Sequence, residues 1–126
     1  MTDTAQIIAG LTRLVDEGRV LTDAASLKHY GCDWTRKFEP KPLAILLPKT
    51  VEQVQAIVRF ANEHKLGLVP SGGRTGLSAA AVAANGEVVV AFDLMNKVLD
   101  FNATDRTARC QAGVVTEQLQ QFAEEQ

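Results

Sequence analysis

The residues best suited to chemistry sit together in one short stretch, Val69-Pro70-Ser71-Gly72-Gly73-Arg74-Thr75-Gly76-Leu77-Ser78. Three glycines fall within five positions, directly after an apolar run. Glycine lets the main chain bend tightly and bring consecutive N–H groups to one surface, and such a concave run of donors is a cradle for phosphate oxygens. Ser71, Thr75 and Ser78 add hydroxyls, and Arg74 adds positive charge. The alternative is a plain surface turn, which small polar residues also favour. Three glycines weigh against it, because each loses more conformational freedom on folding than any other residue would.

Two common phosphate-binding patterns do not apply. A Walker A loop needs Gly-Lys followed by Ser or Thr, and no such triplet occurs. The dinucleotide pattern G-x-G-x-x-G fails because Gly72 and Gly73 are adjacent and Thr stands at position 75. Metal chemistry has little to work with. Cys32 and Cys110 lie far apart and form no CxxC pair, and His29 and His64 lack the close spacing to further ligands that metal sites show. Both histidines are expected near helix ends in structural or surface roles. The cysteines are expected as reduced thiols of a cytoplasmic protein.

The elements that must position the loop follow from periodicity. Ile7, Ile8, Leu11, Leu14 and Val15 recur at spacings of three and four and predict a first helix stopped by Gly18. Asp23 caps a shorter helix through Tyr30, ended by Gly31. Cys32 to Pro42 reads as an extended connection, and Leu43 to Leu47 as a strand buried on both faces. Thr50 and Gln53 form a capping box for a helix with an apolar stripe of Val51, Val54, Ile57, Val58 and Ala61. Gly67 is expected to take the left-handed turn beyond it, before a strand at Leu68 and Val69 that Pro70 stops. Strand, helix and strand make a βαβ unit with parallel strands. Val88 to Phe92 is a further strand, and Val98 to Phe101 with Thr107 to Ala112 predicts an antiparallel hairpin turning at Asn102–Asp105. Thr116 is expected to cap a last helix that carries Leu119 and Phe122 inward.

Composition sets the frame. The chain has 126 residues, 46% hydrophobic and 22% charged, with a net charge of -2, which describes one ordinary folded domain rather than a disordered segment. No run of Lys or Arg supports nucleic-acid binding. The longest apolar runs are too short to span a bilayer, and Met1 to Gly10 lacks the basic start of a signal peptide. In Asp33-Trp34-Thr35, the tryptophan is expected to be a packing anchor. Arg36, Lys37 and Arg109 are expected in solvent.

The order of these features resembles the FAD-linked oxidase family, whose flavin-binding domain is of the vanillyl-alcohol oxidase/p-cresol methylhydroxylase type. The matching stretches are Pro48–Val54, Val69–Ser78, Asp93–Val98 and Cys110–Val114. Asp33-Trp34-Thr35 and Cys110–Val115 are most similar to the D-2-hydroxy-acid dehydrogenase branch, first its D-2-hydroxyglutarate, then its D-lactate and glycolate members. The resemblance implies an α+β (α/β) fold: N-terminal helices, a βαβ unit and a small mixed sheet, the first half of a PCMH-type FAD-binding domain. It divides the chain into a helical segment and linker over 1–42 and a partial FAD-binding domain over 43–126. It implies that backbone N–H groups of Ser71, Gly72, Gly73, Arg74, Thr75, Gly76, Leu77 and Ser78 hold the FAD pyrophosphate, that Pro70 sets the entry of the loop, and that Gly113 lies where a side chain would crowd the flavin. Family members continue with glycines after the serine. Here Ala79-Ala80-Ala81 follow, and methyl groups at Ala79 and Ala80 would narrow the approach of phosphate.

The base and the later substrate domain of such enzymes have no counterpart here, so no catalytic residue is assigned. The chain runs out within its last predicted helix. The expectation is an N-terminal piece of an FAD-dependent enzyme that oxidises a small D-2-hydroxy acid. As a piece it would be inactive, colourless and prone to self-association through an unfinished sheet edge. The alternative is a non-catalytic module that binds an anion or a second chain without redox chemistry.

Overall fold

The computed structural model describes residues 3–126. Helix α1 spans Thr4–Thr12, shorter than the apolar pattern predicts. Arg13 and Leu14 donate to Gly10 and Leu11, three residues back, so the helix tightens and ends before Gly18. Gly18 makes the turn with φ +76, and Val15 is still buried. A short strand β1, Val20–Leu21, leads to α2, Ala24–Tyr30. The Asp23 carboxylate accepts from the Ser26 amide there, and hydrogen bonding by the Ser26 side chain, with that amide, holds the carboxyl below the ordinary aspartate range.

Strand β2, Ala44–Leu46, is buried throughout. Helix α3, Val51–His64, starts on Thr50, whose hydroxyl accepts from the Gln53 amide. The returning bond of the box goes one residue further back, from the Lys49 amide to Gln53 Oε1. Ile57 and Ala61 are the buried members of the predicted stripe, while Val51 and Val58 are exposed. At about 100° per residue, those two valines sit roughly 80° to 100° from the line through Ile57 and Ala61. The helix ends on Lys65, which takes the left-handed conformation expected of Gly67. Gly67 instead faces Glu87, whose Cγ would stand 3.1 Å from an added Cβ.

Strand β3, Leu68–Ser71, runs through Pro70 rather than stopping at it. This is tolerated because β3 is the outer strand of a four-stranded sheet ordered β1-β2-β4-β3, with β4 at Val88–Ala91. A proline on an edge removes no ladder donor that a neighbour needs. Strands β2 and β3 are both parallel to β4, which lies between them, and β1 joins β2 antiparallel. The βαβ unit is therefore present with one strand inserted into it. Alternate residues of β2 and β4 feed opposite faces. Leu46, Val88 and Val90 pack with Ile7, Leu11, Val15 and Ile57. Ile45, Val89 and Ala91 pack with Leu47, Val69 and Ala83, and Leu27 and Tyr30 cover that side.

Strands β5, Val98–Asn102, and β6, Thr107–Cys110, form the expected antiparallel hairpin. Helix α4, Thr116–Glu125, follows with Val115, not Thr116, at its cap position. No side chain closes its first turn. Phe122 meets Phe101 edge to face at 5.8 Å, which fastens the helix to the hairpin. No helix among the described residues is long and apolar enough to cross a membrane.

Candidate functional site

The glycine loop leaves the carboxyl end of β3, beside the carboxyl end of β4, the position where open α/β sheets bind ligands. None of the amides from Gly72 to Ser78 donates to an acceptor among the described residues. The reason lies in the peptide groups themselves. In a trans peptide the carbonyl and the following N–H point in opposite directions. The Ser71 carbonyl accepts from the Phe92 amide, and the Gly76 carbonyl accepts from the Trp34 amide. With those oxygens turned toward the protein, the amides of Gly72 and Leu77 are turned away from it.

The unusual backbone is carried by residues other than the glycines. Arg74 has φ +58 and Ala79 φ +64, whereas Gly72, Gly73 and Gly76 stay out of the left-handed region. A Cβ at Gly72 or Gly76 would meet nothing within 4 Å, and at Gly73 only the Thr75 side chain at 3.9 Å. The chain's own packing does not require glycine at these three positions. What glycine provides there is an open approach to the main chain.

Arg74 holds its strained conformation through its side chain. The guanidinium grips Asp93 with two bonds of 2.9 and 3.2 Å, donates to Ser71 Oγ at 3.1 Å and lies over the Tyr30 ring at 4.8 Å. The positive charge read from the sequence as an offer to phosphate is thus committed to a partly exposed carboxylate of the protein itself. Ser71 is likewise fully buried, with its hydroxyl behind the loop. Gly72, Gly73, Arg74 and Thr75 form one wall of an open cleft of about 470 Å³, and Ala112, Gly113, Val114, Val115 and Thr116 form the other, with Asp93 between. Gly113 and the glycine loop therefore share a site although 37 residues separate Gly76 from Gly113. Gly76, Leu77 and Ser78 are exposed past the rim, and Pro70 is exposed on the outer strand. Gly113 is confined by the chain itself: a Cβ there would stand 1.8 Å from the Phe92 carbonyl oxygen, while its amide donates to Met95 O at 2.8 Å.

The segment at residues 33–35 reverses the expected roles. Trp34 is 67% exposed, and Asp33 beside it is 2% exposed. Asp33 Oδ1 accepts from the Thr35 amide and hydroxyl at 3.0 and 2.7 Å, and Oδ2 accepts from the Ala79 amide at 3.0 Å. The bond from Thr35, aided by the Ala79 amide, holds the Asp33 carboxyl below the ordinary aspartate range. Arg36, Lys37 and Arg109 are exposed as expected. Asp93 and Asp33 are the residues that motif reading undervalued. A signal existed for Asp93, an acidic side chain directly after a buried strand and available to the single arginine of the loop.

A glycine loop at the carboxyl ends of parallel strands, with unpartnered amides beside an open cleft, is an arrangement that α/β domains use to bind anions. The chain belongs to the family described as FAD binding domain, whose model matches residues 42–126. It is 70% identical over 125 residues to the D-2-hydroxyglutarate dehydrogenase of Stutzerimonas stutzeri (strain A1501), a match covering 99% of this chain and 27% of that protein. It is 55% identical over 119 residues to the D-2-hydroxyglutarate dehydrogenase of Xanthomonas citri pv. viticola, covering 94% of this chain and 25% of that one. The solved structure of p-cresol methylhydroxylase with substrate bound superposes with a TM-score of 0.78 at 25% identity, over 96% of this chain and 24% of that one. The PCMH-type fold expected from the sequence is the fold observed. The chain spans about a quarter of the length of the curated relatives it matches.

Proposed function

We propose that this chain is the diphosphate-gripping part of an FAD-dependent dehydrogenase that oxidises a D-2-hydroxy acid (2-hydroxyglutarate first, lactate or glycolate next). The observation that carries the reading is the run of amides from Gly72 to Ser78 without a protein acceptor, on a loop whose glycines leave the approach open. These residues suit a diphosphate: main-chain donors without a protein acceptor, three glycines that leave the backbone open, and an arginine already paired with a carboxylate, so that the peptide dipoles meet the ligand. The amides of Gly72, Gly73, Arg74 and Thr75 would hold the bridge inside the cleft, and those of Gly76, Leu77 and Ser78 would extend the grip past the rim. Ser71 and Pro70 set the entry of the loop from β3. Gly113, with Val114 and Val115, forms the facing wall, and the uncapped first turn of α4 opens beside it.

FAD, when bound, supplies the acceptor for the hydride removed from the hydroxy acid. No residue described here is placed at the substrate hydroxyl, so the chemistry that removes its proton is assigned to none of them. The substrate class rests on the names of the relatives. The same reading puts the boundary of the cofactor-binding unit at residues 42/43, sets the enzyme in the cytoplasm with Cys32 and Cys110 reduced, and gives the isolated chain a tendency to pair through the open edge of β3.

The test is titration of the chain with FAD, followed by flavin fluorescence, with inorganic pyrophosphate and adenosine as competitors. Pyrophosphate should displace FAD and adenosine should not, and Gly73→Val should abolish binding. FAD binding that pyrophosphate does not affect and Gly73→Val does not weaken would overturn the loop assignment. In a polypeptide of the relatives' length, bleaching of the flavin by D-2-hydroxyglutarate tests the substrate class, and no bleaching by any D-2-hydroxy acid refutes it.

A further inference from the structure

We propose that Asp33, outside the glycine loop by 38 residues of sequence from Ser71, is the positioning residue that keeps the loop amides turned toward the cofactor. This deepens the reading of the loop as a diphosphate cradle and rests on it.

The argument starts from burial. Asp33 is nearly inaccessible in a connection whose next six residues are all exposed. A buried carboxylate persists only where donors surround it, and three do so here: the Thr35 amide, the Thr35 hydroxyl and the Ala79 amide. The Ala79 amide is the one that follows the outward-facing run in sequence. Asp33 therefore supplies, from inside the protein, the negative partner at the point where the cradle ends.

Two consequences follow from backbone geometry. Ala79 has φ +64, a conformation that an alanine abandons unless its neighbours enforce it. The bond from its amide to a charged oxygen is the enforcing contact, since charge-assisted hydrogen bonds are the stronger kind. The same segment also ties the loop through the Trp34 amide, which donates to the Gly76 carbonyl at 3.3 Å. With the carbonyl of Gly76 pulled in and the amide of Ala79 pinned, Leu77 and Ser78 lie between two fixed peptide groups. The Leu77 amide belongs to the first of these groups and is held outward with it, and the one peptide left between them, which carries the Ser78 amide, is restrained at both ends. Asp33 thus acts at a distance from the diphosphate, through the loop, and touches no cofactor atom.

The substitution Asp33→Asn tests this. It keeps the shape but can offer Ala79 only a neutral acceptor, or an amide donor where an acceptor is needed. In the chain without cofactor, hydrogen exchange of the Ala79 amide should accelerate roughly tenfold, the change expected when one charge-assisted hydrogen bond closing a local opening is lost. Exchange in β2 and β4 should stay as it was. FAD affinity in the titration should fall by about the same factor, since only the competent fraction binds. Adding Ala79→Gly to Asp33→Asn should restore part of both, because glycine adopts the left-handed turn unaided; a role for Asp33 in general folding would not be rescued there. Unchanged exchange and affinity in Asp33→Asn, with Gly73→Val still abolishing binding, would overturn the proposal and leave the cradle standing. FAD binding indifferent to Gly73→Val would remove the cradle itself. Should Asp33→Asn not fold, Thr35→Val, which removes one donor from the same carboxylate, gives a smaller acceleration at the Ala79 amide, and no acceleration in that variant overturns the proposal.

Discussion

Two sets of glycines line the same cleft for opposite reasons. At Gly113 the molecule closes on itself: a single methyl group would stand 1.8 Å from the Phe92 carbonyl oxygen and 2.8 Å from that of Met95. At Gly72 and Gly76 nothing stands within 4 Å of the added carbon. The first glycine serves the fold, the others serve whatever approaches from outside. The difference teaches that a glycine in a motif is read correctly only when its surroundings are known. An open glycine outside the left-handed region leaves the main chain accessible, and a closed one serves packing.

That contrast can be broken by substitution. Gly113→Ala should have the largest effect, a loss on the order of 4 kcal/mol or more in folding stability, because backbone rather than a flexible side chain must move. Thermal or denaturant unfolding measures it, and a melting temperature near that of the parent would erase the distinction. Gly73→Val should leave stability close to the parent and lower FAD affinity by roughly a hundredfold or more, at least about 2.7 kcal/mol, which abolishes binding in the titration. If Gly73→Val unfolds the chain, the loop glycines are structural after all.

Asp93→Asn sharpens the comparison by loosening the loop from below. It removes the charge that Arg74 grips with two bonds on a partly exposed pair, at a cost of about 1 kcal/mol, and should weaken FAD binding less than Gly73→Val does. Acidification should matter least near neutrality. The Asp33 carboxyl titrates below the ordinary aspartate range when folded, so its contribution is fully present above the unfolded value of about 3.9 and is lost only as pH falls through the lower, folded one. FAD affinity and the exchange protection of the Ala79 amide should therefore persist down to about pH 4 and fail together below it. Failure already at pH 5 to 6 would show that another group governs the loop.

Much of this molecule was legible as sequence because its signals are local. The Asp23 cap, the Thr50 cap, the parallel strands and the hairpin each follow from residues within a few positions of one another. The misreadings occurred where a distant partner decides. Val51 and Val58 are apolar and correctly spaced, yet the face of α3 that meets the sheet runs through Ile57 and Ala61. Pro70 reads as a strand stop until β3 proves to be an edge. Trp34 reads as the anchor of its segment, and Asp33 is the anchor instead, because a carboxylate with three donors is more stable inside than its type suggests.

By itself the amino-acid order determined the elements, the βαβ character and the place of the glycine loop, since hydrophobic period, caps and glycine spacing act over short range. Only the tertiary structure decided which way the loop amides face, that Arg74 is turned to Asp93, and that Gly113 faces the loop across a cleft. Those features depend on bonds between residues 19 to 46 positions apart, and a peptide group's orientation is set by whichever distant partner captures its oxygen.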